Sequence, residues 1–144
     1  MGRWGMGVWR VRKELARHWQ YAELPGVDLL RARYVRKEFV RHTHENFAIA
    51  AIAAIAAIAA IADGVEVFHH RGVDQYAGAG ALALVNPDTP HTGRAGVPEG
   101  WRYGAVYPSP EVVAEIAAET TFIRGTAGFV SPVLDDPYAV GLVH

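Results

Sequence analysis

Arg41-His42-Thr43-His44-Glu45 and, further on, Gly80-Ala-Leu-Ala-Leu-Val-Asn86-Pro87-Asp88-Thr89-Pro90-His91-Thr92 decide how this chain is read. The first is an H-x-H pair just ahead of an apolar run. The second is a strand-like stretch that ends in a proline-flanked histidine. On a strand, residues two apart point to one face, so His42 and His44 would present both imidazoles together. With His91 they make a three-nitrogen set, enough for zinc with one open position. The same three side chains also suit a polar mouth that hydrogen-bonds an organic ligand. That second reading is the preferred one.

Composition sets the frame. The 144 residues are enough for one domain with a sizeable core. Fifteen glycines and eight prolines call for many turns, which favours an all-β fold. Cysteine is absent, which excludes disulfides and thiolate metal sites and fits a reducing cytoplasm. Met1–Arg10 carries no apolar signal-peptide core, so the expectation is a cytoplasmic protein with no membrane contact. Net charge is −1, but residues 1–41 carry +6 and residues 42–144 carry −7. The basic residues are spread out and form no run. They are read as partners of the chain's own acidic patches, not as a nucleic-acid surface.

Residues 1–24 read as an N-terminal arm, with a short helix over Val11–Ala22 stopped by Pro25-Gly26. Strand patterns follow over Val27–Lys37, Phe39-Val40, Val65–Arg71, Ala81–Val85 and Trp101–Tyr107. Gly72–Gly80 reads as turns and Asn86–Gly100 as loop. Asn86 is expected to serve the turn before Pro87, and Asp88 to accept from a loop N–H or pair with Arg94. Ser109-Pro110-Glu111 opens a helix, with Ser109 as N-cap and Pro110 in the first turn. Thr121–Pro137 reads as irregular. Asp135-Asp136-Pro137 starts a second helix that reaches the last residue, which suggests a longer parent protein.

Phe47–Ala62 holds isoleucine at every third position and no polar residue. It reads as an Ala-Ala-Ile repeat expansion of a strand, turning at Asp63-Gly64 into the returning strand Val65–Arg71. Sixteen extended residues exceed what that partner can match, so the tract is also a candidate self-association surface.

Leu24–Tyr34, Arg41–Glu45, Val85-Asn-Pro-Asp-Thr-Pro-His-Thr-Gly93, Gly100–Tyr103 and Tyr107-Pro-Ser-Pro110 together resemble the N-terminal sensor domain of AraC-type transcription regulators. The resemblance covers residues 17–144. It implies a cupin barrel, jelly-roll-like, over 25–108, with the expansion at 47–62 and a C-terminal helical segment over 109–144. It further implies a small-molecule effector, a homodimer formed through a helix, and a DNA-binding domain that this chain lacks. DNA would be reached only through that missing domain. Two departures stand out. Metal-binding cupins carry a glutamate four or five positions past the second histidine, where this chain has Ala48 and Ile49. Their second segment reads P-x-G-x-x-H, where this chain reads Asn86-Pro87-Asp88-Thr89-Pro90-His91.

The expected ligand-binding residues are His42, His44, His91, Trp101 and Tyr103. Trp101 and Tyr103 share a strand face and combine apolar bodies with polar tips. Of the adjacent His69 and His70, at most one faces inward, and structural use is expected for both. No nucleophile–base pair, phosphate loop or paired carboxylates occurs, so the protein is read as a non-enzyme with no resident cofactor. A metal-dependent cupin enzyme using His42, His44 and His91 is the alternative.

Overall fold

The computed structural model describes residues 14–53, 64–125 and 127–143. Among the described residues, ten strands form two antiparallel sheets. They are β1 (Leu15–Gln20), β2 (Val27–Tyr34), β3 (Phe39–His42), β4 (Ala48–Ala53), β5 (Glu66–His70), β6 (Val73–Ala77), β7 (Ala81–Val85), β8 (His91–Ala95), β9 (Trp101–Pro108) and β10 (Val133–Asp135). The larger sheet runs β1-β2-β9-β4-β7-β10 and the smaller β3-β8-β5-β6. Two helices follow the barrel strands, α1 (Pro110–Thr120) and α2 (Pro137–Val143).

Alternation along the strands builds the interior. Leu30 and Ala32 on β2, Ala48 on β4, Ala81, Ala83 and Val85 on β7, and Trp101, Tyr103 and Ala105 on β9 form one buried cluster with Phe68 of β5. The small residues on β4 and β7 leave room between the sheets, and the aromatic ones reach across it. On the outer face of β7, Leu82 and Leu84 pack with Val140 of α2, Ile49 and Phe129. Both faces of β7 are therefore covered, so Ala81–Val85 is buried at every position and reads as a continuous apolar run.

Several sequence expectations are revised by pairing. The arm contributes a strand where a helix was expected: β1 pairs with β2 from Leu15↔Arg33 to Gln20↔Asp28. Tertiary pairing overrides local helix preference there. Glu14 fixes the start of that strand, because its carboxylate accepts from the backbone N–H groups of Val35, Arg36 and Lys37. β6 occupies the stretch read as turns, β8 lies within the stretch read as loop, and β10 lies within the stretch read as irregular.

The described part of the Ala-Ala-Ile tract, Ala48–Ala53, does not make the expected pairing with Val65–Arg71. β4 pairs with β7 on one side and β9 on the other, while β5 belongs to the opposite sheet between β6 and β8. Through Ala51, β4 is thus an internal strand with both ladders occupied and no free edge. Residues 54–62 of the tract and Asp63 of the turn lie outside the described residues.

The first C-terminal helix forms as its cap predicts. Ser109 Oγ accepts from the Val112 N–H at 3.2 Å, with proline in the first turn. None of its residues is buried. Asn86 serves the C-terminal segment and not only its own turn: its Nδ2 donates to Phe129 O and its Oδ1 accepts from Phe129 N–H, at 3.0 and 2.7 Å. Asp88 donates its backbone N–H to His44 O at 2.8 Å, while the side chain near Arg94 is that of Asp74, at 3.8 Å.

Candidate functional site

A cavity of about 810 Å³ lies between the two sheets. Its walls come from Tyr34 on β2, Phe39 on β3, Ala48 and Ala50 on β4, Glu66 and Phe68 on β5, Ala83 and Val85 on β7, and Tyr103 and Tyr107 on β9. His42, His44 and His91 line one part of it, beside the exposed Glu45. A cavity of this volume, lined by apolar and aromatic side chains together with convergent polar groups, is the form of a small-molecule site.

Strand pairing brings the histidines together. His42 ends β3 and His91 begins β8, and the two stand opposite each other in the ladder. His44 lies past the end of β3, so its convergence on the others is set by the connecting loop and not by strand alternation. The bond from Asp88 N–H to His44 O ties that loop to the turn preceding His91. Asn46 adds a second tie, donating from Nδ2 to Tyr107 O at 3.2 Å. Ring centroids lie 4.4 Å apart for His42 and His91, 4.8 Å for His42 and His44, and 5.2 Å for His44 and His91.

The hydrogen bonds suggest which nitrogens face the cavity. In the neutral form His42 Nδ1–H donates to Val40 O at 2.6 Å, and His91 Nδ1–H to Thr89 O at 2.9 Å. Each Nε2 is then left with a free lone pair. His42 Nε2 lies 3.2 Å from His44 Nε2, a hydrogen bond when the His44 nitrogen carries the proton. Burial holds His44 below its ordinary pKa, and the charge of His42 adds to this. Burial also pulls His91 down to about 4, against the Thr89 carbonyl bond that favours its proton. Both are therefore neutral near pH 7.

The residues present do fit a divalent metal in one respect. One nitrogen from each of the three imidazoles falls within a span of 4.8 Å. Backbone carbonyls orienting Nδ1 are the usual support for a ligating Nε2. The acidic ligand of metal cupins has no counterpart, because Ala48 and Ile49 stand at its positions and Ala48 belongs to the barrel core. The donor set is three neutral nitrogens.

Tyr103 lines the cavity, and Trp101 does not. Trp101 is 1% exposed, stacks on Tyr103 at 5.9 Å and 6°, and supports the wall from behind. Its indole N–H has no partner among the described residues. His70 is buried and His69 exposed, the latter paired with Asp74 at 2.9 Å.

Glu66 was missed in the sequence reading. Its Oε1 is buried against the cavity with no hydrogen-bond partner among the described residues. Burial pushes its carboxyl up to about 7. The signal was present in Glu66-Val67-Phe68: an inward Phe68 requires an inward Glu66. Burial also raises Tyr103 and Tyr107 well above the ordinary phenol range, with the Glu66 charge adding to both.

The family profile described as "AraC-like ligand binding domain" matches residues 24–143. No curated protein matches the chain by sequence. Among solved structures, a Cupin 2 conserved barrel domain protein from Salinispora arenicola is similar at TM-score 0.54 and 14% identity, over 75% of this chain and 86% of that one. A conserved protein of unknown function from Streptococcus pyogenes is similar at TM-score 0.54 and 15% identity, over 69% and 77%. An RmlC-like cupin family protein with a double-stranded β-helix fold from Methanocaldococcus jannaschii gives TM-score 0.53 at 10% identity, over 72% and 87%. At such identities these likenesses establish the cupin fold and nothing beyond it.

Proposed function

The chain belongs to the AraC-like ligand binding domains, and on that premise we propose that it is the effector-sensing and dimerisation part of an AraC-type transcription regulator. The observation that carries this reading is the cavity of about 810 Å³, walled by aromatic side chains and lined by three neighbouring histidines. A small organic effector would enter it and shift a conformational equilibrium that a DNA-binding partner domain reads out. DNA is then contacted by that other domain, and this one performs no catalysis.

Dimerisation is supported by α1. The helix is capped and regular, yet buries none of its residues, and Ile116 is 53% exposed. Phe122 and Ile123 extend the apolar exposure just past its end. A second copy covering this face is the economical account. No helix among the described residues is long and apolar enough to cross a membrane.

The test is a thermal-shift screen of small organic molecules, repeated on Ala50→Phe, which fills the cavity. A compound that raises the melting temperature of the wild type and not of the variant supports the reading. Hits that act equally on both would place binding elsewhere. Mass measured across concentration, with Ile116→Glu as the disrupting variant, tests the dimer.

A second reading is favoured by the histidine triad: a metal-dependent cupin enzyme in which His42, His44 and His91 hold the ion. A bound divalent ion would polarise a substrate oxygen or activate water. Stoichiometric metal in the purified protein would promote this reading over the first.

A further inference from the structure

Among the described acids that line the cavity, Glu66 alone has a buried carboxylate oxygen without a hydrogen-bond partner, and neither the family assignment nor the histidines explain it. Resting on the reading of this cavity as an effector site, we propose that its occupant carries a protonated amine on an apolar body, with the amine held by the Glu66 carboxylate.

Four observations converge. First, Oε1 of Glu66 has no hydrogen-bond partner among the described residues. A buried acceptor left without a donor is costly, and a ligand N–H would satisfy it. Second, no lysine or arginine is among the described residues that line the cavity, so the Glu66 carboxyl meets no fixed cation there. Third, the lining includes five aromatic side chains, Tyr34, Phe39, Phe68, Tyr103 and Tyr107. Aromatic faces attract a cation and accept the apolar body to which it is attached. Fourth, the carboxyl lies over β8 at Gly93, where an added Cβ would meet Glu66 Oε2 and the Phe39 ring at 3.4 Å, an ordinary van der Waals contact.

The surrounding charges agree with a cationic guest. Burial keeps the phenols of Tyr34, Tyr103 and Tyr107 protonated, so none of them adds a competing anion. The remaining acids at the rim, Asp28 and Glu45, add to the negative potential. With no cation present the Glu66 carboxyl keeps its proton up to about pH 7. An ammonium group beside it stabilises the ionised form, so binding below that pH releases a proton to solvent.

The experiment is a calorimetric titration of the purified protein at pH 7.5 with three probes of one shape: 2-phenylethylamine, 2-phenylethanol and phenylacetate. The amine is expected to bind at least tenfold more tightly than the alcohol, and phenylacetate more weakly than either. Glu66→Gln should bring the amine down to the level of the alcohol and leave the alcohol unchanged. If Glu66→Gln does not fold, the ranking of the three probes on the wild type decides. Equal or tighter binding of the alcohol or the acid overturns the amine proposal. If that binding is lost in Ala50→Phe, the effector cavity stands without it. Silence from all three probes also overturns the amine proposal, and the cavity reading is then judged by the thermal-shift screen alone.

Discussion

His91 stands directly opposite His70 in the β5–β8 ladder, as it stands opposite His42 in the β3–β8 ladder. Directly paired residues in antiparallel strands share a face, so three imidazoles form one row across the smaller sheet. His44 closes on this row from the adjoining loop. The positive charges these groups could carry oppose one another, and His42, His44 and His70 each lower the pKa of His91 further after burial has done most of it. His70 itself is lowered by burial first and by Arg71 second. Burial thus disfavours the charged forms of His44, His70 and His91 at the mouth of the barrel.

His91 and Glu66 pull stability in opposite directions as pH changes. Glu66 is raised from an ordinary 4.5 to about 7, so its contribution is present below 4.5 and is lost as pH rises to 7. His91 is lowered from 6.5 to about 4, so its contribution is present above 6.5 and is lost as pH falls to 4. Between 4.5 and 6.5 the two slopes oppose each other. Glu66→Gln removes one of them. Its unfolding free energy should gain on the wild type as pH rises from 5 to 7.5, by on the order of 3 kcal/mol at most. Denaturant unfolding at four pH values measures this, and a difference that does not change with pH would be against it.

Protein purified without chelator is expected to hold well under one equivalent of tightly bound transition metal. The three nitrogens lack the acidic ligand of metal cupins, since Ala48 and Ile49 stand at its positions. Elemental analysis gives the content. One full equivalent, lost in His44→Ala, would support the enzyme reading instead.

Gly100 should tolerate no side chain. Its φ is +89°, and a Cβ there would lie 2.1 Å from Tyr34 O. This close approach sets the Tyr34↔Trp101 register from which Tyr103 and Tyr107 follow. Gly100→Ala should cost at least about 2 kcal/mol, combining left-handed strain with a backbone clash. A melting temperature within a degree of the wild type would contradict this.

Shortening the Ala-Ala-Ile tract should be insensitive to parity. β4 and β5 lie in different sheets, so the register of β5 is set by β6 and β8 and not by counting residues from β4. Deleting three residues or six from within 54–62 should therefore give closely similar melting temperatures. A three-residue deletion that unfolds the domain, beside a harmless six-residue one, would restore the view of the tract as a single continuous strand with fixed faces.

The sequence by itself determined the elements whose signals are local. Alternation and apolar runs located β2, β7 and β9, and Ser109-Pro110 located the start of α1, because these patterns reflect which face meets water and which backbone N–H needs a cap. The H-x-H pair and the proline-flanked histidine marked His42, His44 and His91, which the fold brings within 4.8 Å. What only the tertiary structure decided depends on partners distant in sequence. Leu15–Gln20 is a strand because β2 offers it an edge, and His91 lies on a strand because β3 and β5 flank it. The Ala-Ala-Ile tract enters the larger sheet between β7 and β9 although the next apolar segment is far nearer along the chain. Glu66 reads in sequence as one charge on a strand. It becomes the polar centre of the cavity because the opposite sheet closes over it and supplies no donor. Desolvation is a property of the enclosing walls, and no single segment carries it.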